Sequence, residues 1–168
     1  MKKVLSGVLT AILMASMMTT VFAAETEITV GGTQSAETLV TYEMAEAYTV
    51  IIPDAVVIEP TTNKGSAIVG AEKIVIDFGK TLNVKIGGHD NTDAWQLIDV
   101  TNSANTINYT IGTTDGGNDV VNNTVVLSSV AGANWNDSVE NTLYFSLNED
   151  VEKSGSYEDT LTFTVSID

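Results

Sequence analysis

The chain has 168 residues, no cysteine, and seven basic against 22 acidic residues, for a formal net charge of −15. It can form no disulfide framework. The acidic balance opposes nucleic acid, whose affinity comes mainly from Lys and Arg on phosphates, and opposes anionic lipid. The length suits one domain with its own core.

The first residues read as an export signal rather than as part of the fold. Lys2 and Lys3 form a short positive region, Val4 to Met18 is nearly uncharged and mostly apolar, and Val21-Phe22-Ala23 places small residues around a cleavage site. Residues 1–23 are therefore predicted to be a signal peptide, cut between Ala23 and Ala24. Five lysines and all 22 acids follow the cut, so the mature charge is −17. No cysteine follows the apolar run, so no lipoprotein anchor is expected, nor is a membrane span after cleavage. The expected location is outside the cell, either secreted or associated with the wall.

Residues 24–47 form a polar N-terminal segment with two short β-prone pieces, Glu27 to Val30 and Thr38 to Thr41, separated by a Gly31-Gly32 turn. Met44 to Ala47 has weak helix propensity over too short a run to stand alone.

Residues 48–168 carry the signal of half-buried antiparallel strands, period-2 alternation over short runs with turn residues between them. Tyr48 to Ile52 is the first clear strand, ended by Pro53, which cannot donate to a ladder. Ala55 to Ile58, Ser66 to Val69 and Lys73 to Phe78 follow, the last with Ile74, Ile76 and Phe78 on one face. After a Gly79-Lys80 turn, Thr81 to Ile86 points Leu82, Val84 and Ile86 inward. Asp93 to Val100 is expected to be an inner strand, because both its faces carry apolar residues. Further strands are Asn105 to Ile111, Thr124 to Val130, Thr142 to Leu147 and Thr160 to Ile167. The last of these sets Leu161, Phe163, Val165 and Ile167 against four hydroxyl residues. The enrichment in Thr, Val and Ile agrees with strand propensity. The predicted fold is an all-β antiparallel β-sandwich, immunoglobulin-like, with the strands of Trp95 and Phe163 at its centre.

No catalytic set is legible, and the chain is expected not to be an enzyme. The single histidine, His89, lies in a Gly/Asp/Asn loop, and the many acids fall in turns or at outward strand positions. The loops 89–93 and 115–119 are rich in oxygen ligands but lack EF-hand spacing, and Asn, Asp and Gly are ordinary turn formers. No metal and no cofactor is expected. Trp135 lies in a loop between Asn residues and is the aromatic residue placed best for contact with a partner.

Trp95-Gln96-Leu97 and, near the end of the chain, Tyr157-Glu158-Asp159-Thr160-Leu161-Thr162-Phe163-Thr164-Val165 together resemble the WxL-type surface domains of Gram-positive bacteria. Those carry one Trp-x-Leu motif on a strand and a second near the C-terminus, and the resemblance implies a WxL-like sandwich as the alternative to an immunoglobulin-like one. By residue, the motif maps onto Trp95, Leu97, Phe163 and Val165, with Phe and Val standing where the family has Trp and Leu. The resemblance implies non-covalent attachment to the cell wall, through peptidoglycan or associated polymers, or to other surface proteins. The chain ending is also similar to the last strand of secreted pilus and spore-coat sandwich domains. That similarity implies the alternative of a structural subunit in a pilus or coat-like assembly, which would lend a strand between copies. Residues 25–41 are then the expected donor.

Overall fold

The alternating stretches of the sequence are realised as strands that pair throughout in antiparallel fashion. In a computed structural model of the chain, the described residues are 8–12, 40–88, 94–130, 138–149, 151 and 153–168. Ten strands lie among them: β1 Val8–Ile12, β2 Ala47–Pro53, β3 Lys64–Val75, β4 Thr81–Gly87, β5 Trp95–Asp99, β6 Thr106–Gly112, β7 Thr124–Val130, β8 Ser138–Leu147, β9 Tyr157–Glu158 and β10 Thr162–Ile167. They form a seven-stranded sheet of order β1-β2-β3-β8-β6-β5-β9 and a three-stranded sheet of order β10-β4-β7. The larger sheet curls over the smaller one, and the fold is a β-sandwich.

The core lies between the sheets. From the smaller sheet come Leu82, Val84, Ile86, Val126 and Leu127, and from the larger Val50, Val69, Ile74, Trp95, Tyr109, Ile111, Leu143 and Phe145. In β4 the inward residues Leu82, Val84 and Ile86 alternate with half-buried Asn83 and Lys85, as the period-2 reading requires. Asn141 fastens one sheet to the other by donating through Nδ2 to the Val126 carbonyl at 2.7 Å.

Several strand boundaries differ from the sequence reading. Ser66–Val69 and Lys73–Phe78 are not two strands. The chain runs through Gly70 as one strand, because Gly70 is paired on both sides, with Ile51 and with Glu140. A bulge near Lys73 absorbs the register shift against β2, and Lys73 takes a positive φ of 54° there. The strand then ends at Val75, and Lys80 N donates to the Asp77 carbonyl to close a turn with Gly79 at φ 86°. That turn swings Phe78 out of the inward phase shared by Ile74 and Ile76 and leaves it 100% exposed. Ala55 to Ile58 forms no strand, although Val56 and Ile58 still pack on the core. Residues 138–141, which precede the strand expected at Thr142 to Leu147, extend β8 so that it pairs with β3 from Lys64 to Glu72.

The two motif strands are not central. β5 stands between β6 and the two-residue β9, and β10 is an edge of the smaller sheet. The short pairing of β9 explains the first result, since only Ile98 and Asp99 have a partner on that side. Residues 40–46 form neither a strand nor a helix.

Candidate functional site

The four motif residues are best placed by starting from the ring of Trp95. It opens β5 with 4% of its surface exposed, and its indole Nε1 donates to the Val120 carbonyl at 2.9 Å. Its ring lies 6.3 Å from that of Tyr109, tilted by 37°, and Tyr109 in turn stacks at 6.3 Å on Phe145. Buried aromatic rings with a satisfied polar handle are anchors of a core. Leu97, Phe163 and Val165 are half-buried and pack against the same cluster. The four positions are thus shared between two facing sheets, and only the Trp95 ring is fully buried.

The structure also shows how the two motif regions meet. Tyr157 and Glu158 pair with Asp99 and Ile98, directly behind the Trp-x-Leu triplet. Asp159 then accepts a hydrogen bond from the Tyr109 hydroxyl at 2.7 Å. Burial, reinforced by the Asp159 carboxylate, pushes ionisation of this phenol far above its ordinary range. From there the chain crosses to the smaller sheet and supplies Phe163 and Val165 from β10. The C-terminal motif therefore acts as a clasp between the sheets.

Asp99 was visible in the sequence only as a member of an apolar-rich strand. It is 6% exposed and caps the turn that follows β5. Its carboxylate accepts from Thr101 N at 2.8 Å, Thr101 Oγ1 at 2.7 Å and Asn105 Nδ2 at 3.3 Å. Those bonds, led by the Thr101 amide, hold its pKa below the usual aspartate value. The loop 112–120 is organised in a similar way. Asp119 accepts from Thr113 N at 3.0 Å and Thr113 Oγ1 at 2.6 Å, which likewise lowers its pKa. Asp115 instead bonds Lys64 at 2.8 Å on the surface. Among the described residues no group of three His, Cys, Asp or Glu side chains is placed to hold a metal ion. Trp135 and the loop 89–93, with His89, lie outside the described residues.

An open depression of about 380 Å³ lies beside Trp95, between Asn108, Asn118, Val120 and Glu149. Within it Glu149 accepts from the Asn108 backbone amide at 3.0 Å. Nothing in it converges on a reacting centre.

The second feature is an edge of the larger sheet. β1 pairs with β2 over five residues, from Val8 opposite Pro53 to Ile12 opposite Thr49. It covers the side of β2 away from β3, and it lies inside the stretch read above as a signal peptide. Along β2, Val50 is buried, and Tyr48 and Ile52 on the same phase pack on the core. Just before β2, Val40 and Tyr42 are each 86% exposed and Met44 is 50% exposed. They alternate with Thr41 and Glu43, a one-sided strand pattern with no sheet beneath it. The segment is held at its end by Glu46, whose carboxylate accepts from Asp77 N at 3.1 Å and Lys80 Nζ at 3.3 Å. Those contacts with Glu46, and then with Asp77, raise the pKa of Lys80. The sequence reading divided this stretch between a β-prone piece and a helical one, and so missed the alternation from Val40 to Met44 that could have revealed it.

No family model matches the chain. No curated protein matches it either. Among solved structures, it is similar to a chain from work described as "Chaperone-tip adhesin complex is vital for synergistic activation of CFA/I fimbriae biogenesis". The identity is 10% and the TM-score 0.41, with 61% of this chain covered. The chain spans about a third of that protein's length (34%). At that level of likeness nothing about this chain rests on the comparison.

Proposed function

We propose that this chain is an exported bacterial surface protein whose sandwich works by association with other protein chains, as a subunit of a surface assembly, and not by catalysis. The observation that carries the reading is the outer edge of β2. In the structure that edge is covered by residues 8–12, which the export reading removes. Among the described residues no other strand pairs with that side of β2, so a mature chain beginning at Ala24 would offer Ala47–Pro53 as an edge, a template for another chain. Such edges are a recurring mode of protein recognition, in which the backbone supplies affinity and alternate side chains supply specificity.

The WxL resemblance offers a second reading, non-covalent retention on cell-wall polymer. Its support is the pair of motif regions, which meet at Asp99, Tyr109 and Asp159. The burial of Trp95 weighs against that residue being the contact itself. If polymer binds, it binds elsewhere on the surface.

Fractionation of cells producing the tagged chain tests both readings. The assembly reading expects the chain outside the cell, starting at Ala24 by intact mass, in particles larger than one copy that survive removal of wall polymer by muramidase. Release of single copies by muramidase would favour wall retention. A cytoplasmic chain that keeps Met1 would contradict both.

A further inference from the structure

We infer that the outer edge of β2 in the exported chain is completed by residues 40–44 of a second copy, which add there as an antiparallel strand in place of β1. The inference rests on the assembly reading and names its donor, its acceptor and the register between them.

The acceptor is defined by what the structure already does. The edge of β2 takes a five-residue antiparallel strand, and every residue from Thr49 to Pro53 has a partner in it. Pro53 ends the strand and limits the added segment to about that length. The donor is defined by exposure. Val40, Tyr42 and Met44 are the one exposed run of large apolar residues at alternating positions among the described residues. One face of an added strand must carry apolar side chains toward the core, and Tyr48, Val50 and Ile52 mark that face on β2. Directly opposed residues in an antiparallel pair point to the same face. The matching register therefore sets Val40 opposite Ile52, Tyr42 opposite Val50 and Met44 opposite Tyr48. Thr41 and Glu43 then face solvent, opposite Ile51 and Thr49.

The same segment cannot easily return onto its own β2. Ala47 is already held in the strand against Val75. Only Ala45 and Glu46 remain for a turn, and two-residue hairpin loops demand positive φ, which Gly, Asn or Asp supply. Such a turn would also pair Met44 with Ala47. That is a one-residue slip, and it would carry the apolar set to the wrong face. Glu46, bonded to the 77–80 turn, further holds the segment away. A second copy has none of these constraints. Each copy then offers one donor and one acceptor, which permits either reciprocal exchange between two copies or a contact that runs on from copy to copy.

Because the chain has no cysteine, a directed crosslink tests the register. Thr41→Cys and Ile51→Cys variants are produced separately as full chains with the export signal and collected after export. Their N-termini are confirmed by intact mass, and they are then mixed under mild oxidation. Both positions lie off the core-facing phase, and far-UV circular dichroism of each variant is matched to the wild type before mixing. The expected result is a mixed disulfide between the two variants, and its loss when the Thr41→Cys chain also carries Val40→Asp and Tyr42→Asp. Thr164→Cys, on the other sheet, should not replace Ile51→Cys. A chain starting at Ala24 that yields no mixed disulfide, or yields it equally with the Asp variant, overturns the strand exchange and leaves the export reading standing. An exported chain that retains residues 1–23 overturns both.

Discussion

Replacing Trp95 by Phe separates the two roles that a Trp-x-Leu residue can play. The ring is 4% exposed, and its Nε1 donates to the carbonyl of Val120, a residue itself 1% exposed. Phe keeps a ring against Tyr109 but leaves that carbonyl without its donor. An unsatisfied buried acceptor costs about 1–3 kcal/mol. The smaller ring gives up contacts worth about 1–2 kcal/mol more. The sum, about 2–5 kcal/mol, corresponds to a fall in Tm of roughly 5–20 °C for a chain of this size. Urea unfolding followed by far-UV circular dichroism measures it, since that signal does not depend on the indole. An unchanged slope with a lower midpoint is the expected form. Where the variant is folded, its association should match the wild type. A loss of stability below about 0.5 kcal/mol, within the range of ordinary surface substitutions, together with a loss of association, would refute the core role and restore Trp95 as a contact residue.

Four further outcomes follow. Gly112→Ala would set a Cβ 2.5 Å from the Gly117 backbone, where neither side can yield, so urea unfolding should show a loss of about 1–3 kcal/mol. Phe78→Ser, at a fully exposed turn position, should change the midpoint by less than about 0.5 kcal/mol. Asp99 has a depressed folded pKa, so its contribution is present above the unfolded value and is lost as pH falls through the folded one. Asp99→Asn should therefore be clearly less stable than wild type at neutral pH, with the gap closing below about pH 4 in urea midpoints taken across the acid range. Association between copies this acidic should also tighten as salt rises from about 0.01 M to 0.15 M, as the Debye length falls from about 30 to 8 Å, and sedimentation velocity reads that directly.

Much of the sandwich was legible because period-2 alternation reports a buried face without any knowledge of the partner strand. Leu82, Val84 and Ile86, or Ile107, Tyr109 and Ile111, could be assigned inward from the pattern alone, and all six are buried. Pairing order is a long-range property and left no such trace. The place of β5 near an edge depends on a two-residue partner from the far end of the chain. Gly70 looked like a break and is a through-paired strand residue, because its neighbours on β2 and β8 hold it extended. Phe78 kept the right phase in sequence and lost it in space, since β3 ends at Val75, three residues early, and a turn follows. The structure places Trp95 in the core, with Leu97, Phe163 and Val165 half-buried against it. The bond from Tyr109, beside Trp95, to Asp159 spans fifty residues of sequence and leaves no local sign. The exposed Val40–Tyr42–Met44 alternation was present in the sequence and was obscured by the helical propensity of the residues that follow.

The central claim is that the edge of β2 in the exported protein is covered by another copy. Hydrogen–deuterium exchange of the chain beginning at Ala24, with residues 49–53 followed across a range of protein concentrations, tests it most directly. The account predicts that amides of β2 facing away from β3 exchange quickly in dilute solution and become protected as concentration rises, while β4 stays protected throughout. Protection of β2 that is the same at every concentration would mean that the chain covers its own edge, and would contradict the account.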